Sequence, residues 1–138
     1  MIRIFHKVNG EILQEKILDA LDKVPLSNLV WIDLRDYDKH ELESVQQKLE
    51  IKLQSASEAA EIESSSRYFE TADTIFLNNI FLFPGEKGYS GAPVSFAVKN
   101  DVLVTTRTGD LRVFYETVKK IKANNRIFKS GYQVLSSI

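Results

Sequence analysis

Two tight-turn dipeptides set the frame for this chain. Asn9-Gly10 separates the strand-like runs 3–8 and 11–15, and Asn100-Asp101 separates the alternating run Val94, Phe96, Val98 from residues 102–107. Asn-Gly suits the positive φ angles of a type I′ turn, the connection whose twist matches that of two antiparallel strands. Between and after these hairpins the apolar period changes. Residues 17–23 form a short helical stretch closed by Pro25, and Val30-Trp31-Ile32-Asp33-Leu34 reads as a buried strand. Asp38 and Glu41 stand at capping-box spacing before Leu42, Val45 and Leu49, which recur on one helical face. Residues 57–62 contain no breaker and predict another turn or two of helix.

The second half predicts mostly strand. Tyr68-Phe69-Glu70 and the apolar run 75–83 flank a polar turn at 71–73, and the near-continuous apolar character of 75–83 predicts a central strand covered on both faces. Residues 84–91, with Gly85, Gly88 and Gly91, read as a loop. Leu111, Phe114, Val118 and Ile121 mark one face of a helix beginning near Thr108 or Asp110, and 131–138 reads as a further helix just starting. Hairpins alternating with helices imply an α/β (α+β) fold, a mixed and largely antiparallel central sheet sandwiched by helices. No internal repeat or interdomain linker divides residues 1–138, which read as one domain; a helix just starting at 131 fits a piece of a longer protein or a docked natural terminus.

Composition narrows the function classes. The 138 residues are 43% hydrophobic and 27% charged, the proportions of a globular chain. With no cysteine, neither disulfides nor thiolate metal sites are available. The N-terminus lacks the long apolar stretch of a secretory signal, and 75–83 is too short to cross a bilayer, so no membrane insertion is expected of this segment. Charge is segregated. Residues 36–73 carry ten acids against four bases, and residues 99–129 carry eight bases against three acids. The pattern reads as two solvated helical faces of opposite sign, one suited to cations and the other to an acidic partner.

Chemistry-bearing motifs are sparse. His6 and His40 stand alone, without zinc-ligand spacing. Ser64-Ser65-Ser66 has no nucleophile-elbow glycines, and the glycines at 85–91 precede a strand rather than a helix, which leaves no helix N-terminus for a phosphate. Lys119, Lys120, Lys122 and Arg126 lie in a slightly acidic chain whose aromatics occupy core-like positions, so nucleic-acid binding is not expected. No convergent nucleophile and base are present, so no enzymatic activity is expected.

Several segments together resemble the cytoplasmic domain of CorA-type magnesium transporters. They are Val30-Trp31-Ile32-Asp33-Leu34 with its acidic helix; Glu61-Ile62-Glu63-Ser64-Ser65-Ser66-Arg67-Tyr68-Phe69-Glu70; the apolar strand that follows; Val94-Ser95-Phe96-Ala97-Val98; and Leu103-Val104-Thr105-Thr106-Arg107 leading to Asp110-Leu111 and Phe114. The resemblance covers about residues 28–138 and has two departures. Tyr37 stands where the family usually has a helix-starting proline. Ala60-Glu61 stands where it has a Glu-Asp pair, whose Asp contributes to a regulatory divalent site.

The resemblance implies a sensing domain on the cytoplasmic side of the cell's inner membrane, in a homopentamer whose stalk helix and two transmembrane helices lie in further sequence. It implies weakly and reversibly bound magnesium, with Glu61 the first ligand candidate, Glu58 one helical turn earlier, and Glu63 third, completed by the neighbouring subunit's stalk. The equivalent domain of a ZntB-like zinc transporter and a free-standing protein-binding adaptor module are the alternatives.

Overall fold

The computed structural model describes residues 1–53 and 68–138. Strands β1 (Ile2–Val8) and β2 (Glu11–Glu15) form the expected hairpin. Asn9 and Gly10 both take positive φ, 52° and 81°, as a type I′ turn requires. Helix α1 (Ala20–Lys23) is shorter than the 17–23 expected: Pro25 leads into a 3₁₀ turn (Leu26–Asn28) that feeds β3 (Leu29–Arg35). Helix α2 (Lys39–Leu49) begins with the capping box read from the sequence. The Glu41 amide donates to the Asp38 carboxylate at 2.8 Å, and the Asp38 amide donates to Glu41 at 3.1 Å. These bonds satisfy two amides that the first turn leaves without helical partners. They also supply the start that a proline at 37 would otherwise favour.

Strands β4 (Tyr68–Glu70), β5 (Thr74–Gly85), β6 (Gly88–Lys99) and β7 (Val102–Arg107) follow, then helices α3 (Arg112–Ala123) and α4 (Gly131–Ser137). The described strands form one seven-stranded sheet in the order β2-β1-β3-β7-β6-β5-β4. β3 and β7 run parallel and every other neighbouring pair is antiparallel, which is the mixed, largely antiparallel sheet expected.

Helices cover both faces. On one, Leu21, Val45 and Leu49 pack on Ile2, Ile4, Ile32, Leu34 and Val104. On the other, Phe114, Val118, Ile121 and Val134 pack on Phe5, Trp31, Val94, Phe96 and Leu103. Each fully buried side chain of this size contributes about 1.5–3 kcal/mol. β3, inside the sheet between β1 and β7, is therefore apolar on both sides.

Two expectations for the second hairpin are corrected. The run 75–83 is not a central strand covered on both faces. β5 lies next to the sheet edge, β4 pairs only with Ile75–Leu77, and β7 pairs with β6 only from Val94 onward. The far half of the β5–β6 hairpin extends past both flanking strands, β4 and β7, leaving Ile80, Leu82 and Phe83 exposed. An apolar run records side-chain character, and only the lengths of flanking strands decide what covers it. Nor is 84–91 a loop. Gly85 pairs with Gly88 around a two-residue turn, and Ser90 and Gly91 continue the ladder. Gly91 serves packing: a Cβ there would stand 2.6 Å from the Ile80 side chain.

Helix α3 starts at Arg112, later than Thr108 or Asp110, because the residues before it turn the chain out of β7, with Gly109 at φ 72°. The helical turns expected over 57–62 lie outside the described residues.

Candidate functional site

The most concentrated polar chemistry among the described residues lies where β1, β3 and β7 meet. Asp33 stands in the apolar run of β3 and has no solvent exposure. Its Oδ1 accepts from the Thr105 hydroxyl at 2.7 Å and from Arg107 Nε at 3.2 Å. Its Oδ2 accepts from Arg107 Nη2 and Arg3 Nη2, each at 2.9 Å. A carboxylate offers about four lone-pair sites, so these four bonds saturate Asp33 and leave none free for a metal. The surrounding groups fix its partners in turn. The Trp31 indole donates to Thr105 at 3.0 Å, Arg107 Nη1 donates to the Gly109 carbonyl at 2.7 Å, and the guanidinium lies 4.2 Å from the Phe114 ring centre. Arg3 Nε is the one buried side-chain polar atom without a partner among the described residues.

The network clamps the β3–β7 pair and its outgoing loops. Asp36, at φ 47°, donates its amide to the Arg107 carbonyl at 3.0 Å and accepts the Gly109 amide on its carboxylate at 2.9 Å. In the sequence Asp33 and Arg107 stand out only as parts of strands. The available signal was a lone acid inside an apolar strand, which requires a buried counter-charge.

The charge segregation seen in sequence is partly spent on structure. Asp38 and Glu41 cap α2, Asp36 holds Gly109, and Arg107 is buried. Arg126 pairs with Glu11 at 2.7 Å, and Arg112 with Glu116 at 3.9 Å. At the turn into β5, the exposed Asp73 carboxyl is held below its ordinary range. The Thr74 hydroxyl is the largest cause, followed by Lys99.

His6 is buried on β1 with Nε2 3.4 Å from Glu15, while His40 is exposed in the first turn of α2. The metal candidates Glu58, Glu61 and Glu63, and Ser64-Ser65-Ser66, lie outside the described residues. Among the described residues no group of three or more His, Cys, Asp or Glu is placed to hold a metal. No helix among them is long and apolar enough to cross a membrane.

Comparison with known proteins extends this picture. Residues 27–138 match the family model described as CorA-like Mg2+ transporter protein. The chain is 33% identical to the magnesium transport protein CorA of Wolinella succinogenes, covering 100% of this chain and 44% of that protein. It is 28% identical to the magnesium transport protein CorA of Escherichia coli K12, over 98% of this chain and 42% of that one. The chain thus spans less than half the length of these curated relatives. The solved soluble domain of CorA from Methanocaldococcus jannaschii matches with a TM-score of 0.66 at 18% identity, over 99% of this chain and 55% of that one. At that identity the match speaks for the fold alone, and it agrees with the mixed sheet and its two helical layers. With the family model matched from before β3 to the end of α4, this chain belongs to the CorA-like Mg2+ transporter family.

Proposed function

We propose that this chain is the cytoplasmic sensing domain of a CorA-type magnesium transporter and contributes to gating by divalent cations. The observation that carries the reading is the match to a magnesium transport protein along the whole chain. In this reading residues 1–138 act as one domain of a homopentamer at the inner membrane. The stalk and the membrane-spanning helices belong to further sequence, and the domain itself catalyses no covalent step.

The chemistry follows from the ion. Magnesium prefers hard oxygen donors, gives up its waters reluctantly, and is held loosely by one or two carboxylates. Glu61 is the principal candidate, with Glu58 and then Glu63 behind it, and the neighbouring subunit's stalk completes the site. Loose binding lets occupancy follow the concentration of the free ion. An ion bound between subunits in the closed state favours that state by its differential affinity, and its loss releases the pore.

Before the residues that carry the three glutamates, Leu53 is buried and its amide donates to the Gln46 side chain at 2.9 Å. After them β4 is paired with β5.

The test is flux through the product of the complete reading frame, reconstituted in vesicles. Magnesium flux that falls as magnesium rises on the side facing this domain is expected. A reading frame without two apolar spans of about twenty residues, or flux indifferent to magnesium on that side, overturns the reading.

A further inference from the structure

We infer that Lys99 is a clasp: its ammonium ties the C-terminal end of α2 to the turn between β4 and β5, so that these two places open and close as one unit. The tie lies wholly within residues 1–138 and holds whether or not the transporter reading does.

Lys99 is the last residue of β6, opposite Thr74 on one side and Val102 on the other. Alternation along the strand puts it on the same face as Ala97, the face that α2 covers. A lysine can bury its stem there only if its ammonium finds acceptors. The side chain is 11% exposed, and it finds two. Nζ donates to the Glu50 carbonyl at 2.8 Å and lies 3.3 Å from Asp73 Oδ2.

Each acceptor belongs to a local network of its own. Glu50 caps α2 in the left-handed conformation, with φ 51°, and its carbonyl is among those that a helix end leaves without an amide partner. Gln46 gathers the amides that follow: its carbonyl accepts from Ile51 at 3.1 Å, and its side chain accepts from Leu53 at 2.9 Å. Asp73 is held from the other side by the Thr71 and Thr74 hydroxyls, which donate to Oδ1 at 3.2 and 3.0 Å. The Thr71 amide closes that turn on the Thr74 carbonyl at 2.9 Å.

Glu50 and Asp73 are far apart in the sequence, so holding them beside one another costs closure entropy that the charge-assisted contacts of Lys99 offset. An ammonium carries three donors and can serve both acceptors at once; an apolar side chain of similar length can serve neither.

The test is hydrogen exchange by NMR on residues 1–138, read at the amides of Ile51, Leu53 and Thr71. Lys99→Met keeps a stem and removes the ammonium. It should speed exchange at all three amides about tenfold, while Val104 and Val118 stay protected, and Lys99→Arg should restore most of the protection. Asp73→Asn keeps Oδ1 for the two threonines and removes the charge that faces Lys99. It should speed exchange several-fold at Ile51 and Leu53 as well as at Thr71, and it should add nothing in the Lys99→Met background.

Unchanged exchange at Ile51 and Leu53 in Lys99→Met overturns the inference. An Asp73→Asn effect confined to Thr71 also overturns it, because Lys99 would then make two independent contacts. Should Lys99→Met loosen the whole sheet, Asp73→Asn decides alone: faster exchange at Ile51 and Leu53 upholds the clasp, and unchanged exchange there removes it.

Discussion

Asp33 shows what a single residue contributes here. Two arginines, a threonine and an indole are arranged around one carboxylate, all of them within the sheet. Replacing it by alanine leaves Arg107 and Arg3 facing an uncompensated pocket, so Asp33→Ala should destabilise the fold by about 3–5 kcal/mol. Urea unfolding would measure this, and a loss below about 1 kcal/mol would show that the pair is not the clamp described.

At the surface the same chemistry is weaker and answers to pH. The folded-state pKa of Asp73 is depressed, so its contribution is complete above the ordinary aspartate range and is lost as pH falls through the lowered value. Thr74→Val and Lys99→Met should each return the Asp73 carboxyl toward its ordinary range. NMR titration of that carboxyl would show this, and no upward shift in either variant would contradict it. At this scale the sequence was a poor guide. An aspartate between Ile32 and Leu34 is visible, but the arginine that neutralises it lies on another strand and is brought beside it only by the parallel β3–β7 pairing.

Elements were more legible, because their signals are local. The Asn9-Gly10 turn, the Asp38–Glu41 capping box and the apolar faces of α2 and α3 follow from adjacent residues and appear where the periodicity places them. The misreadings were non-local. Ile75 to Phe83 is as apolar as β3, yet β3 lies between β1 and β7 while the far half of the β5–β6 hairpin extends past β4 and β7. Nothing within the run itself encodes the length of its neighbours.

Helix α4 rests on a contact of the same non-local kind. Gly131 sits against the β7 backbone, with an added Cβ only 2.3 Å from the Leu103 nitrogen and 2.8 Å from the Asp101 oxygen. Both are main-chain atoms and cannot swing aside. Gly131→Ala should therefore cost about 1–3 kcal/mol and loosen α4 first. Hydrogen exchange would show this as lost protection in residues 134–138, with β3 and β7 still protected; unchanged exchange would contradict the contact.

For the molecule as a whole, a clamped sheet with two helical layers is a rigid body, and rigidity suits the proposed role, in which an ion's arrival is transmitted to other parts of an assembly. The fold class was readable because layer architecture follows from the alternation of hairpins and helices. The candidate metal site was readable only through family resemblance. Isolated carboxylates carry no spacing signature for magnesium, which takes few protein ligands and keeps much of its water. Its proposed completion also comes from another subunit, which no single chain can display.

The most direct measurement is magnesium flux through vesicles containing the complete protein, with magnesium titrated on the side facing this domain, for the parent and for Glu61→Ala. The account predicts that Glu61→Ala shifts the inhibitory midpoint several-fold to higher magnesium, the size of a typical coupling of about 1–3 kcal/mol, with maximal flux unchanged. An unchanged midpoint would contradict the role given to Glu61, and flux that magnesium on that side never inhibits would contradict the sensing function itself.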